Sequence, residues 1–555
     1  PGKGKEAKAR AQHFKARHAA LVADLSTIEA LGDALALLRI LPPVHYSEAQ
    51  WQVLGAIARL LPRAVAELKL VFAAHGKVDF VEIAQGALTA LGTEDAPTDL
   101  LLSLDYRIRH ILVDEFQDTS FTQFGLLERL TAGWQTDDGR TLFVVGDPMQ
   151  SIYRFREAEV GLFLRARQQG IGTVELQALT LSANFRSQAG IVEWVNDAFS
   201  RIMPRSESVS AGAVPYTPSD SVHPPESDAV QMHAFFDADA DAEAARVVAL
   251  IRAAQARNPE GTIAILVRGR SHLQAIVPQL KRSELRFRAI EIEPLGHRQV
   301  VQDLLALTRA LTHPADRVAW LAVLRAPWCG LTLADLAALA EGDFGATVWE
   351  LVENEDRAGL LSADGRGRLA RAGKVLGRCL DQRCRARLRE TVEGAWLALG
   401  GPACVEHVTD LEDAEIYLQY LEDAEEAGGI ADLAAFEEGL AKLYALPDLE
   451  ARDTDPQILT IHKAKGLEFD TVIVPGLGRR PRHPEPSLFL WTRRLAADGD
   501  GSAELLLGPI KETGVDADPI YDYLARLDRE RERYEQARLL YVASTRAKKH
   551  LHLLG

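Results

Sequence analysis

The sequence predicts an α/β protein in which parallel sheets carry helical insertions, and three observations predict it. Short apolar runs ending in polar or acidic residues alternate with amphipathic stretches between 109 and about 200. That is the pattern of βαβ units whose sheet is covered on both faces. The same alternation returns near Val230 and again at 457–478. Between these returns lies an Ala- and Leu-rich block, about 315–447, with helical periodicity and few strand signals, so an insertion inside the second α/β stretch is the economical reading.

The elements follow in order. Residues 8–95 read as helices, because apolar positions recur three and four apart, as in WQVLGAIARLLPRAVAELKLVF (51–72). RHILVDE (109–115) is a first strand, followed by a helix from about Phe121 to Ala132; TLFVVGD (141–147) is a second, followed by an amphipathic stretch over 157–168. VELQALTLSANFRS (174–187) reads as a third strand, with a helix from about Gln188. The Ser- and Pro-rich segment 205–227 is expected to be a linker. Beyond it come a helix (243–255), a buried strand TIAILVR (262–268), the helical block, and QILTIHKAKGLEFDTVIVPGLG (457–478) with strand patterning. No solenoid-type repeat or long low-complexity tract interrupts the chain.

Composition sets outer bounds. A chain of 555 residues has material for roughly three to four domains. With 47% hydrophobic residues, 26% charged residues and a net charge of −16, the balance is that of a cytoplasmic globular protein and too apolar for a disordered one. No uninterrupted apolar run approaches the ~18 residues of a membrane-spanning helix. The basic PGKGKEAKAR opening leads into no apolar core of a secretory signal. Cys329, Cys379, Cys384 and Cys404 are too few and too irregularly spaced for a disulfide framework or a CxxC zinc site, and read as reduced thiols. The acidic total argues against a histone-like binder, but a nucleic-acid enzyme needs only a locally positive groove. Pro1 at one end and the apolar LHLLG at the other suggest a piece of something longer.

In open α/β sheets ligands sit beyond the carboxyl ends of the strands. There stand Asp114, Glu115, Phe116, Gln117 and Asp118 after the first run, Gly146, Asp147, Pro148, Met149 and Gln150 after the second, and Asn184, Phe185, Arg186 and Ser187 in the third. Carboxylates for a hydrated magnesium ion, an amide for a water or phosphate oxygen, and a guanidinium for developing charge together suit a magnesium-bound polyphosphate. Each residue alone has a plainer role: an acid after a strand is a common helix N-cap, and a lone arginine is commonly solvated. QSIYRFR (150–156) interleaves aromatics with arginines. It fits stacking on unpaired bases with guanidinium contacts to phosphate, and equally a strand whose aromatics are core. Outside these clusters His110 and His462 read as ordinary core or surface histidines.

DEFQDT (114–119), VVGDPMQSIYRFR (144–156), LTLSANFRS (179–187), TIHKAKGLEFD (460–470) and RLLYVASTRAKKHL (538–551) resemble, in order, motifs II to VI of superfamily 1 DNA helicases of the UvrD/Rep type. RLLYVASTRAK and VVQDLLALTRALTHPADRVAWLAVLRAPWCGL (300–331) resemble the RecB/AddA branch. The likeness extends over about 40–555 and is motif-grade only in those segments. It implies two RecA-like motor domains: 1–105 as the helical subdomain of the first motor half, 106–204 as the remainder of that domain with motifs II–IV, 205–227 as linker, 228–314 and 448–555 as the two parts of the second domain, and 315–447 as its helical insertion.

The resemblance also implies roles. Asp114 would hold magnesium through water, Glu115 would be the general base, and Gln150 would sense the γ-phosphate. Arg186 and Arg546 would be arginine fingers, Phe185 would stack on adenine, Glu468 would bond the ribose, and Gly466 would belong to the same ATP-binding set. Tyr153, Phe155 and Arg156 would meet DNA bases and phosphate, and Thr460 and His462 the DNA backbone. Relatives often have tryptophan where Phe155 stands. ATP and Mg2+ are the implied cofactors, and single-stranded and duplex DNA the implied partners, with no membrane.

The implied activity is 3′ to 5′ translocation on single-stranded DNA, in recombination or double-strand break repair. The family also carries a GxxxxGK[ST] phosphate loop ahead of motif II and an adenine-reading glutamine motif, and neither occurs in these 555 residues. Gly2-Lys3, Gly4-Lys5, Gly76-Lys77 and Gly373-Lys374 are not followed by Ser or Thr. The resemblance therefore implies an N-terminally truncated form, inactive alone. The alternative is a non-catalytic DNA-binding scaffold subunit. A nuclease domain or a second helicase–nuclease subunit is a further implied partner, since no acid, acid-x-lysine constellation stands within 1–555.

Overall fold

The strands His110–Val113 and Thr141–Val144 pair in parallel, with His110 opposite Thr141. Each is followed by a helix whose start the sequence specifies. Ser120 caps Phe121–Thr131 in a capping box with Gln123, and Glu159 accepts from Gly161 N at the start of Val160–Gln169. These helices close over Phe116, Phe124, Leu162, Ala166 and Ile171. Upstream, Ser47, Asp79 and Thr98 cap the helices Glu48–His75, Phe80–Leu91 and Asp99–Arg107.

This computed structural model describes residues 5–28, 31–93, 96–135, 137–236, 239–289, 295–382, 387–405, 409–426, 432–441, 443, 452, 454–479, 487–495, 503–509 and 518–555. Cys384 lies outside them. Cys329, Cys379 and Cys404 are free thiols, and burial pushes Cys329 up to about 11. No helix among the described residues is long and apolar enough to cross a membrane.

The chain divides into two compact units. The first is Pro1–Phe185 with Val192–Val222 and Arg480–Val542; the second is Arg186–Ile191 with His223–Arg479 and Ala543–Gly555. In the first, Phe489–Leu495 and Ala503–Pro509 form an antiparallel ribbon, and much of the helix Pro519–Ser544 belongs to it.

The second unit holds a six-stranded sheet in the order Val230–His233, Ala547–Leu554, Phe469–Val474, Ile263–Val267, Gln457–Thr460, Arg288–Ala289, with every pairing parallel. Ile263–Val267 is buried at all five positions, as a strand covered on both faces must be. The helices from Gln299–Thr312 to Leu433–Leu440 share one core around Trp320 and Trp349, whose rings are 5.4 Å apart.

Several elements differ from the sequence reading. The first unit's parallel pair alternates in burial, with Leu112 and Phe143 exposed, so its faces are not both covered. Of 174–187 only Ala183–Gln188 is strand; Leu179 and Leu181 are exposed, and the strand pairs with Asp220–His223. The segment 205–227 is ordered: Ala213 and Val214 are buried, Tyr216 donates to Asn196 Oδ1, and Ser208 Oγ accepts from Ala211 N. Ser208 closes a turn, a use that composition alone does not separate from a linker. The helical core begins at Leu295 and takes in Gln299–Thr312, ahead of the expected 315. Residues 186–191 group with the second unit and the described residues of 480–542 with the first, whereas the sequence reading assigned them the other way.

Candidate functional site

In the first unit both strand ends lead into one hydrogen-bonded network. Backbone bonds from Val145 N to Val113 O and from Phe116 N to Val145 O, 2.8 and 2.9 Å, hold the two segments together past the strand ends. Asp114 and Glu115 are exposed, and Asp114 Oδ1 accepts from Glu115 N at 2.8 Å. Glu115 adopts the left-handed conformation, φ 52° and ψ 37°. Behind it Gln117, fully buried, donates from Nε2 to Glu115 Oε2 and accepts from Asp147 N at 3.0 Å. Asp147 in turn accepts from Met149 N and, through Oδ2, from Gln150 Nε2 at 2.8 Å and Tyr541 Oη at 3.4 Å. Burial and the Asp147 charge push Tyr216 up to about 12. Gly146 sits where any Cβ would collide with the Gln117 amide oxygen, so the close approach of the two loops requires glycine.

The aromatic stretch continues from this network. Phe155 and Arg156 are exposed and Tyr153 is half-buried; the two rings meet edge to face at 5.9 Å, with the Arg156 guanidinium 5.4 and 5.5 Å from their centroids. These aromatics therefore present a surface, and the core reading is set aside for Phe155. Beneath them Arg154 pairs with Asp528, and its backbone N–H donates to Glu535 Oε1 at 3.2 Å. Arg538, 5% exposed, donates from Nε to Ser151 O at 2.7 Å and from Nη1 to Gly212 O at 3.0 Å. Burial pulls its guanidinium down to about 10, so it remains charged at neutral pH.

In the second unit the fold assembles a different group. Arg186 Nε donates to Glu468 Oε2 at 3.0 Å and Arg186 Nη1 to Thr545 O at 3.4 Å, while Lys548 Nζ lies 2.7 Å from Glu468 Oε1. The hydrogen bonds from Lys548 and Arg186 hold the Glu468 carboxyl below the usual range. Arg546 is buried, with Nη1 on Leu467 O at 3.3 Å and Nη2 on Thr545 Oγ1 at 3.1 Å. Gly466 has φ 84°, which makes glycine the residue of choice at that turn. Glu468 and Arg546 each precede a strand, Phe469–Val474 and Ala547–Leu554, which pair at Phe469 opposite Ala547. The cluster thus lies at the amino edge of the sheet. Thr460 ends the strand Gln457–Thr460 and His462 follows it, at the carboxyl edge.

The structure therefore brings Asp114, Glu115 and Gln150 into one neighbourhood with Tyr153, Phe155 and Arg156 just downstream, and Arg186, Glu468 and Arg546 into another. Phe185 is exposed at the end of the first unit's main segment. Sequence reasoning placed Gln117 and Asp147 at the strand ends without giving either a role, and it did not single out Arg538, Tyr541 or Lys548. All five lie inside the quoted motifs, which was the available signal. Among the described residues no group of three or more His, Cys, Asp or Glu could hold a metal. One exposed carboxylate is compatible with magnesium, which keeps most of its waters and takes phosphate oxygens as ligands.

Parallel α/β sheets bind ligands beyond the carboxyl ends of their strands, where Asp114, Glu115 and Gln150 stand. Residues 38–170 match the UvrD/REP helicase N-terminal domain, and 179–358 with 415–554 match the UvrD-like helicase C-terminal domain, so the chain belongs to the UvrD-like helicase family. The interval between the two matched parts of the C-terminal domain lies within the helical block. The chain is similar to ATP-dependent helicase/nuclease subunits of the AddA kind. It is 28% identical over 528 residues to that of Exiguobacterium sibiricum, covering 87% of this chain and 43% of the relative. It is 26% identical over 560 residues to that of Lactobacillus delbrueckii subsp. bulgaricus, covering 91% and 44%. Against that of Desulforudis audaxviator the identity is 28% over 580 residues, covering 90% and 44%. The chain thus spans less than half the length of the curated relatives it matches.

Proposed function

We propose that this chain is the greater part of the motor of an ATP-dependent DNA helicase or translocase of the RecB/AddA type, moving 3′ to 5′ on single-stranded DNA during recombination or double-strand break repair. The observation that carries the reading is the pair of assembled groups: carboxylates and amides in one unit, arginines with a paired glutamate in the other. Phosphoryl transfer to water needs both kinds, a base for the water and cations for charge gathering on the γ-phosphate.

Asp114 holds the water shell of a magnesium ion, which when bound neutralises charge on the phosphates. Glu115 takes the proton of the attacking water. Gln150 senses the γ-phosphate and, being three residues from Tyr153, couples it to the DNA stretch. Arg186 and Arg546 act as arginine fingers on the γ-phosphate of ATP. Phe185 stacks on its base, Glu468 bonds its ribose, and Gly466 supplies the turn that presents Glu468. Thr460 and His462 grip the DNA backbone. ATP binding and hydrolysis alternate, and the grip on DNA alternates with them. The protein works in the cytoplasm, and its companion is a nuclease domain or a second helicase–nuclease chain.

The test is ATP turnover by the full-length protein containing these residues, with its phosphate-binding loop, with and without single-stranded DNA. DNA-dependent hydrolysis is expected, abolished by Glu115→Gln. Hydrolysis indifferent to DNA, or unaffected by that substitution, would sink the motor reading.

A second reading is a scaffold that holds single-stranded DNA for a partner enzyme, and the half-buried Tyr153 and the exposed Phe155 and Arg156 favour it because they need no hydrolysis to bind. Both readings predict that Tyr153→Ala with Phe155→Ala weakens single-strand binding by about 1–3 kcal/mol per lost base stack. Arg156→Ala should lower the salt slope by about one, while the aromatic pair leaves it unchanged. Titration of a fluorescent oligonucleotide at several salt concentrations measures both. Tight binding that ignores all three residues would remove them from the DNA surface.

A further inference from the structure

We propose that Gln117 is a positioning residue that aims the Glu115 carboxylate at the attacking water; this rests on Glu115 being the base. Gln117 is the fully buried amide behind an exposed acid, and both ends of it are engaged with opposite polarity. Nε2 donates to Glu115 Oε2, and Oε1 accepts from Asp147 N at 3.0 Å. A flipped amide would set oxygen against carboxylate and NH2 against N–H, so the carboxylate can face only the donor. The backbone of Gln117 is pinned as well, since its carbonyl accepts from Ser151 Oγ at 3.0 Å.

The surroundings are shaped for this contact. The tight turn Phe116–Asp118, entered through the left-handed Glu115, brings side chains two residues apart together. A Cβ at position 146 would collide with the amide oxygen, so glycine there leaves the amide its place. Asp147, which fixes the amide through its N–H, also accepts from Gln150 Nε2 at 2.8 Å. The glutamine assigned to the γ-phosphate and the amide aiming the base are thus attached to one residue. A misplaced base of this kind costs about 10²-fold per ångström.

A plainer role is a clamp that only ties the two loops together through Asp147 N–H. Gln117→Glu separates the two when turnover is read at high pH, where the introduced acid is ionised: its carboxylate can still accept from Asp147 N–H but repels Glu115, whereas at low pH its proton lets it donate as the amide does. Turnover of ATP by the full-length protein is measured for Gln117→Met, Gln117→Glu and Glu115→Gln, alone and combined, with single-strand affinity as the check on folding. Positioning predicts that Gln117→Met lowers kcat about 10²-fold with KM for ATP moved less than about threefold, and that Gln117→Glu is at least as damaging. Neither adds to Glu115→Gln. Near-normal kcat in Gln117→Glu, or losses that multiply in the double variants, would overturn the proposal and leave Glu115 as base untouched. Should Glu115→Gln itself leave turnover intact, both fall together.

Discussion

Replacing Arg546 by alanine lowers DNA-dependent ATP turnover of the full-length protein by about 10³-fold or more, and replacing Arg186 does the same, since that is the scale on which an arginine finger acts. The two are prepared differently. Arg546 is buried, its fork held by Leu467 O and Thr545 Oγ1, so the guanidinium is fixed before any ligand arrives. Arg186 is held by Glu468 and by the carbonyl of the same Thr545, at a partly exposed position. Its ion pair is of the kind that contributes little to stability, so Arg186→Ala should leave unfolding nearly unchanged while turnover collapses. Arg546→Ala removes a buried fork and should cost stability too, so Arg546→Lys is the sharper variant: the charge stays but the planar fork is lost. Single-turnover hydrolysis with denaturant unfolding on the same samples checks both. If turnover survives in Arg186→Ala and Arg546→Lys alike, neither is a finger.

How much of this was legible in the sequence depends on what each residue needed to reveal itself. Ile263–Val267 is apolar throughout and buried throughout, so composition and environment agree. Leu179 and Leu181 have the same letters but stand exposed, because periodicity counts apolar residues without knowing whether a partner strand exists. Asp114, Glu115 and Gln150 were readable because they follow strands, where the carboxyl-edge rule looks. Arg186 was reached by the same rule, but Glu468 and Arg546 could not be: they precede their strands, and only the motif likeness marked them. The partners of Gln117 and Arg538 were hidden for another reason. Burial and a specific partner define both, and Arg538 finds Ser151 across 387 residues of sequence. No local pattern encodes such a distance. The same holds for 205–227, whose serines and prolines look loose until Ala213 and Val214 are seen buried.

Substituting Arg538 by methionine should destabilise the first unit by about 2–4 kcal/mol, because Ser151 O and Gly212 O each lose a charge-assisted partner in a dry setting. Arg538→Lys should recover only part of this, a compact ammonium being unable to bridge two carbonyls as the fork does. The effect also carries a pH signature. Burial holds Glu535 above its ordinary range, and the neighbouring Arg538 charge works against that rise. An acid whose folded pKa is raised binds its proton more tightly folded than unfolded, so its effect on stability becomes less favourable as pH rises from the unfolded value near 4.5. Removing Arg538 raises the folded pKa further, so the deficit of Arg538→Met should be smaller near pH 4.5 and grow toward pH 7. Because Glu535 also accepts the Arg154 N–H, single-strand affinity should fall in the same variant as the Tyr153–Arg156 stretch loosens. Urea unfolding at the two pH values, alongside oligonucleotide titration, tests this. A deficit independent of pH would show that Glu535 and Arg538 do not interact, and wild-type stability would mean that the buried guanidinium holds nothing together.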